Sequence, residues 1–116
     1  MKKYTAFLVF ILVYQLLLSQ TIVDSLNVYG TWTKAESPYL ITNNIAVASY
    51  DTLIIEPGVE VIFEDYYLFQ IFGHFSATGE INDSIYFTVA DTIGFSTNNH
   101  AGWGGLDFLY SPVPPN

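Results

Sequence analysis

The 116-residue chain contains no cysteine, one methionine and three basic residues, and only 12% of it is charged. Without cysteine there is no disulfide framework, no thiol nucleophile and no thiolate-ligated zinc. The scarcity of cations excludes more. Lys2 and Lys3 stand at the extreme N-terminus, so beyond residue 20 eleven acidic residues face Lys34 alone. A chain with one cation cannot neutralise a phosphate backbone, which removes nucleic acid as a partner. An anionic lipid surface is disfavoured for the same reason. Helical periodicity is missing too: from Thr21 onward no such pattern outlasts its Gly, Pro and Asn residues. What the chain does have is apolar bulk. It is 51% hydrophobic, with nine Tyr, nine Phe and two Trp, unlike a disordered polar chain. Its length accommodates one domain.

The N-terminus carries an address. Met1-Lys2-Lys3 is followed by the apolar run Ala6–Leu18, interrupted only by Gln15 and closed by the small Ser19. A positive start, a short apolar core and a small residue at its end describe a secretory signal peptide. A membrane span needs about 20 apolar residues, more than this run offers even when counted from Tyr4. No basic stop-transfer cluster follows, and a lipoprotein anchor would need a cysteine. Residues 1–20 are therefore read as a signal peptide and the chain as secreted or displayed at the cell surface, with no membrane span in its mature part.

Beyond it, short alternating segments rich in β-branched and aromatic residues predict strands. They are Tyr39–Ile41, Ile45–Val47, Thr52–Ile55, Val59–Phe63, Leu68–Ile71, His74–Thr78, Ile85–Thr88 and Leu106–Leu109. Turn formers bound them, among them Thr42-Asn43-Asn44, Gly73, Gly79 and Asn82-Asp83. Pro57-Gly58 is the sharpest of these signals. Proline presets φ at the second position of a type II turn, and glycine supplies the positive φ required at the third. The expected class is all-β.

A repeat selects among all-β folds. Equivalent apolar positions recur at Val47 and Phe69, Leu53 and Phe75, Val61 and Ile85, and Phe63 and Phe87. The spacing is 22 residues for the first two pairs and 24 for the others. A unit of that length holds three short strands, as in a coil whose strands stack in parallel on their equivalents one turn earlier. The alternative is an antiparallel β-sandwich or jelly roll.

Several runs carry a family resemblance. They are Trp32, Ser37-Pro38-Tyr39-Leu40-Ile41, Ile45-Ala46-Val47, Thr52-Leu53-Ile54-Ile55-Glu56-Pro57-Gly58-Val59-Glu60-Val61-Ile62-Phe63, Gly73–Gly79, Ile85–Thr88 and Gly102-Trp103-Gly104-Gly105-Leu106-Asp107-Phe108. Together they resemble the N-terminal part of secreted bacterial right-handed parallel β-helix surface proteins, which have the pectin-lyase-like fold. The resemblance implies a cap over residues 21–41, with Trp32 over the open end, and rungs over 42–110. A Pro-rich, truncated end follows at 111–116, because a solenoid needs about three stacked repeats and a cap at each terminus. Further rungs of the same chain are then expected downstream.

Candidate chemistry is sparse. His74 and His100, 26 residues apart with no third ligand at metal spacing, define no zinc site. Glu64-Asp65 and Asn82-Asp83 put hard oxygen donors of the kind Ca²⁺ takes at turns, yet turn residues bonding to their own backbone account for them equally. No spacing among the acids selects a glycosidase pair. The β-helix polysaccharide lyases, by resemblance, abstract a proton with a basic residue, and Lys34 in the cap is a poor candidate. No catalytic residue, metal ligand or cofactor is therefore expected. Trp103, exposed in a glycine-rich loop, would stack on a sugar face; folded back over the strands, it would belong to the core. Pro57, Gly58, Gly79, Gly102, Gly104 and Gly105 are read as structural turn positions, and Asn82-Asp83-Ser84 forms a glycosylation sequon. The expectation is a non-catalytic scaffold or interaction module contacting an extracellular glycan or a surface protein. The alternative is the opening rungs of a carbohydrate-active enzyme whose active site lies downstream.

Overall fold

A computed structural model describes residues 20–91 and 102–109. The signal-peptide reading, His100 and the Pro-rich end lie outside those residues. Ten strands and one 3-10 turn are formed: β1 Thr21–Val23, β2 Gly30–Trp32, the turn Lys34–Glu36, β3 Tyr39–Ile41, β4 Ile45–Val47, β5 Thr52–Ile55, β6 Glu60–Phe63, β7 Phe69–Ile71, β8 His74–Ala77, β9 Tyr86–Val89 and β10 Leu106–Phe108. The all-β class holds. No helix among the described residues is long and apolar enough to cross a membrane.

The strands form three sheets, ordered β1-β3-β6-β9, β4-β7-β10 and β2-β5-β8. Every pairing between named strands is parallel, which is not how a sandwich or jelly roll pairs its strands. Parallel neighbours need a crossover of a dozen or more residues, and here the strands of the other two sheets supply it. Thus β3, β4 and β5 pair one-to-one with β6, β7 and β8.

Register is where expectation and structure part. Leu53 does face Phe75. Val47, however, pairs with Ile71, Val61 with Phe87, and Phe63 with Val89. Each of these is a two-residue slip from the expected partner. Because side chains alternate with period two, such a slip leaves the inward set inward and the apolar pattern intact. Two strands are additional to the expected set. β1 pairs with β3, and β2 pairs with β5 through Gly30–Leu53, Thr31–Ile54 and Trp32–Ile55. Residues 21–41 thus contribute paired strands to two of the sheets. Trp32 is buried, stacked on Tyr39 at 4.7 Å between ring centroids.

The core lies between the three sheets. Ile41, Val47, Leu53, Val59, Val61, Phe63 and Phe69 are fully buried, with Ile45, Ile55, Tyr39 and Ile71 nearly so. Side chains of this size stabilise by about 1.5–3 kcal/mol each when removed from water. No polar or charged residue is buried among the described residues. The turn at Glu56–Val59 closes with Val59 N–H donating to Glu56 O (3.4 Å), and Gly58 has φ +82°, as the Pro-Gly pair predicts. Gly73 has a different reason to be glycine: a Cβ there would run into the backbone carbonyls of Ala48 and Asp51.

Candidate functional site

Lys34, the only lysine or arginine among the described residues, has a structural task. Lys34 Nζ donates to Asp83 Oδ1 at 2.8 Å, bridging the 3-10 turn before β3 and the turn before β9. Between them passes Gly58, whose N–H donates to Asp83 O at 3.0 Å. A Cβ on Gly58 would collide with the Asp83 carboxylate and the Lys34 stem. Three turns far apart in sequence are therefore held in one column, and the absent side chain leaves room for the ion pair. Neither the pair nor its dependence on Gly58 can be inferred from spacing, since Lys34 and Asp83 stand 49 residues apart.

Tyr39 has a displaced proton equilibrium. Its hydroxyl accepts from the Thr33 N–H at 2.8 Å and donates to Glu36 Oε2 at 3.3 Å. Burial pushes the phenol above its ordinary 10.0; the Thr33 bond opposes this and the negative charge of Glu36 adds to it. Each hydrogen bond closes the short turn onto the core. The role is structural.

Trp103 is half-buried and packed against the core. Its ring stacks on Phe63 (4.4 Å between centroids, 20° between planes) and on Phe87 (5.9 Å, 14°). Gly102 and Gly105 have φ of +97° and +80°, while Gly104 donates from its N–H to Tyr67 O at 2.8 Å. The aromatic run Tyr66–Phe75 divides. Phe69 is buried and Tyr67 and Phe75 are half-buried against the core, whereas Tyr66 and Phe72 are exposed.

The remaining candidates stay apart. His74 is exposed on β8. Asp65 Oδ1 accepts from the Tyr66 N–H at 2.7 Å, in the manner of a turn residue bonding to its own backbone. Asp83 is committed to Lys34, and Asn82 adopts φ +65° at an exposed turn. Nowhere among the described residues do three His, Asp or Glu side chains gather as a metal site would require. A groove of about 320 Å³ opens beside β1 and β2, lined by Asp24, Asn27, Val28, Tyr29 and Trp32 among others.

The surfaces left are the outer faces of the sheets, and they differ. The third sheet presents Thr31, Ile54 and Ser76 in one row with Thr52 and His74 in another. The second presents Gln70 and Asp107, in line with Ala46, which is buried. The first presents an aliphatic row, Ile22, Leu40 and Ile62, ending on Thr88. Sequence periodicity marks these positions as outward, but only the register shows which of them share a row. No family model, no curated protein and no solved structure matches the chain.

Proposed function

We propose that the chain is the opening of a right-handed parallel β-helix that works as a secreted or cell-surface scaffold. It presents lateral sheet faces to glycans or neighbouring surface proteins and has no catalysis of its own. One observation carries this reading. Three parallel sheets are visited in a fixed order, so that β3, β4 and β5 recur as β6, β7 and β8 at offsets of 22 to 24 residues. A repeat of that kind yields flat ladders of outward side chains, suited to weak, multivalent contact. The right hand follows from the general preference of parallel crossovers, and export follows from the N-terminal apolar run. The non-catalytic part of the reading rests on composition: the chain has no cysteine, and beyond residue 20 Lys34 is its only lysine or arginine.

The absence of native cysteine makes the test direct. Introduced pairs of cysteines report proximity through a short thiol-reactive cross-linker. Ile54→Cys/Ser76→Cys, adjacent in one ladder, should cross-link in high yield. Ile54→Cys/Thr88→Cys, on different sheets, should not. Equal yields would remove the stacked architecture. Incubation with uronic-acid polymers should give no unsaturated product; its appearance would turn the reading towards the lyases.

A further inference from the structure

We infer that the outer face of the first sheet is a docking surface for a short, basic amphipathic helix of a partner protein. This surface follows from the pairing of β1, β3, β6 and β9 alone, whether or not the sheets continue as a β-helix.

The central row of that face runs across the strands: Ile22 beside Leu40, Leu40 beside Ile62, Ile62 beside Thr88. Ile22 is 60% exposed at one end of the row. Carboxylates flank it on both sides. One margin carries Glu60, paired with the exposed Tyr86. Along the other, Glu64 follows Phe63 and Asp24 follows Val23, both outward and exposed. The register continues past the strand ends there, because Thr42 N–H donates to Val23 O and Glu64 N–H to Ile41 O, each at 3.0 Å. Lys34, the only lysine or arginine among the described residues, lies beyond the Glu60 margin over Gly58, where it is ion-paired with Asp83.

Dimensions choose the occupant. Neighbouring strands lie about 4.8 Å apart, so the aliphatic row repeats at that step along the stack. One turn of α-helix rises about 5.4 Å, close to it, and a helix laid along the row can place one apolar side chain per strand. The carboxylate margins stand two residues away along each strand, about 6.8 Å to either side. That is where the Lys or Arg flanks of an amphipathic helix fall. A second copy of this acidic chain would bring carboxylates against carboxylates. Charge therefore selects a basic partner over self-association.

The probe is a helix-stapled synthetic peptide of about four turns, with Leu on one stripe and Lys on both flanks, titrated against the full chain. Substituting Ile62 by glutamate separates docking from bulk attraction. Added negative charge tightens any purely electrostatic association, whereas loss of the apolar row weakens docking by about tenfold or more. Unchanged circular dichroism checks that this outward position leaves the fold intact. Should Ile62→Glu fail to fold, Glu60→Lys/Glu64→Lys takes its place, compared with Asp51→Lys/Asp107→Lys, which changes net charge equally off the face. The first pair should weaken binding several times more than the second. Equal effects of the two pairs, tighter binding by Ile62→Glu, or equal affinity for a Lys→Gln peptide would each overturn the inference. So would a dimer of the chain that Ile62→Glu dissolves. Failure here leaves the cross-linking test of the stacked architecture untouched.

Discussion

Phe69 and Phe75 are neighbours of the same type on adjacent sheets, their rings edge to face at 5.7 Å. Both point inward. Yet Phe69 is fully buried and Phe75 only half-buried. The difference is in their ladders. Phe69 has Ile45 on one side and Leu106 on the other, whereas Phe75 has Leu53 on one side and no further named strand beyond it. The same contrast separates Val61 and Phe63 from Phe87 and Val89, which lie on the last strand of the first sheet. In a parallel stack, burial is conferred by the layers before and after, and identical chemistry stabilises unequally according to its position along the stack.

The largest expected effect is at the sandwiched phenylalanines. Phe69→Ala or Phe63→Ala should lower the free energy of unfolding by about 3–5 kcal/mol, the range for a fully buried aromatic whose cavity cannot collapse. Phe75→Ala should cost about half of that. Urea unfolding of the three variants checks the comparison, and equal losses would break it.

Next in size is Gly58→Ala. The substitution forces an L side chain to φ +82° and into the ion pair, and about 1–3 kcal/mol should be lost. Gly105→Ala sharpens the contrast. Its φ is +80°, but the added methyl meets nothing within 4 Å, so only the backbone penalty of about 1 kcal/mol remains.

These two glycines also show how far the sequence could be read. Pro57-Gly58 declares its turn, and the prediction was met in dihedral and hydrogen bond. That Gly58 also makes room for Lys34 and Asp83 depends on which turns stack, which is a matter of register. All eight expected strands emerged within one residue at each end, because alternation and turn residues are local signals. Register was legible only modulo two: Val47 can face Phe69 or Ile71 without moving any apolar side chain out of the core. β1 and β2 escaped for another reason. Gly30-Thr31-Trp32 opens on a glycine at φ +89° and contributes one buried residue, so its pairing with β5 leaves almost no periodic trace. The outer apolar row was invisible for a related reason, since Ile22, Leu40 and Ile62 come from three separate segments.

Tyr39→Phe removes two hydrogen bonds at the junction of the short turn and the core, and about 1 kcal/mol should be lost at neutral pH. A pH scan is more specific. The folded state holds the phenol proton more tightly than the unfolded chain, whose ordinary value is 10.0. The unfolded state therefore binds fewer protons at high pH. This contribution is complete below about pH 10 and is lost as pH rises through the folded value. Alkaline destabilisation should be weaker in Tyr39→Phe than in the parent, and parallel curves would remove Tyr39 as its source.

The smallest effect is expected where the connection looks most distinctive. Lys34 and Asp83 join turns 49 residues apart, but the lysine side chain is 63% exposed and the aspartate 30%. Water screens the pair and the lysine loses rotamer freedom in holding it, so Lys34→Met should cost only about 0.2–1 kcal/mol. The column of turns survives, because Gly58 N–H still donates to the Asp83 carbonyl. Molar salt should narrow the gap between Lys34→Met and the parent, while the gap between Phe69→Ala and the parent should persist, since apolar burial is not screened. A Lys34→Met loss as large as that of Phe75→Ala would mean that the ion pair, and not the packing of successive layers, sets the stability of the final strands.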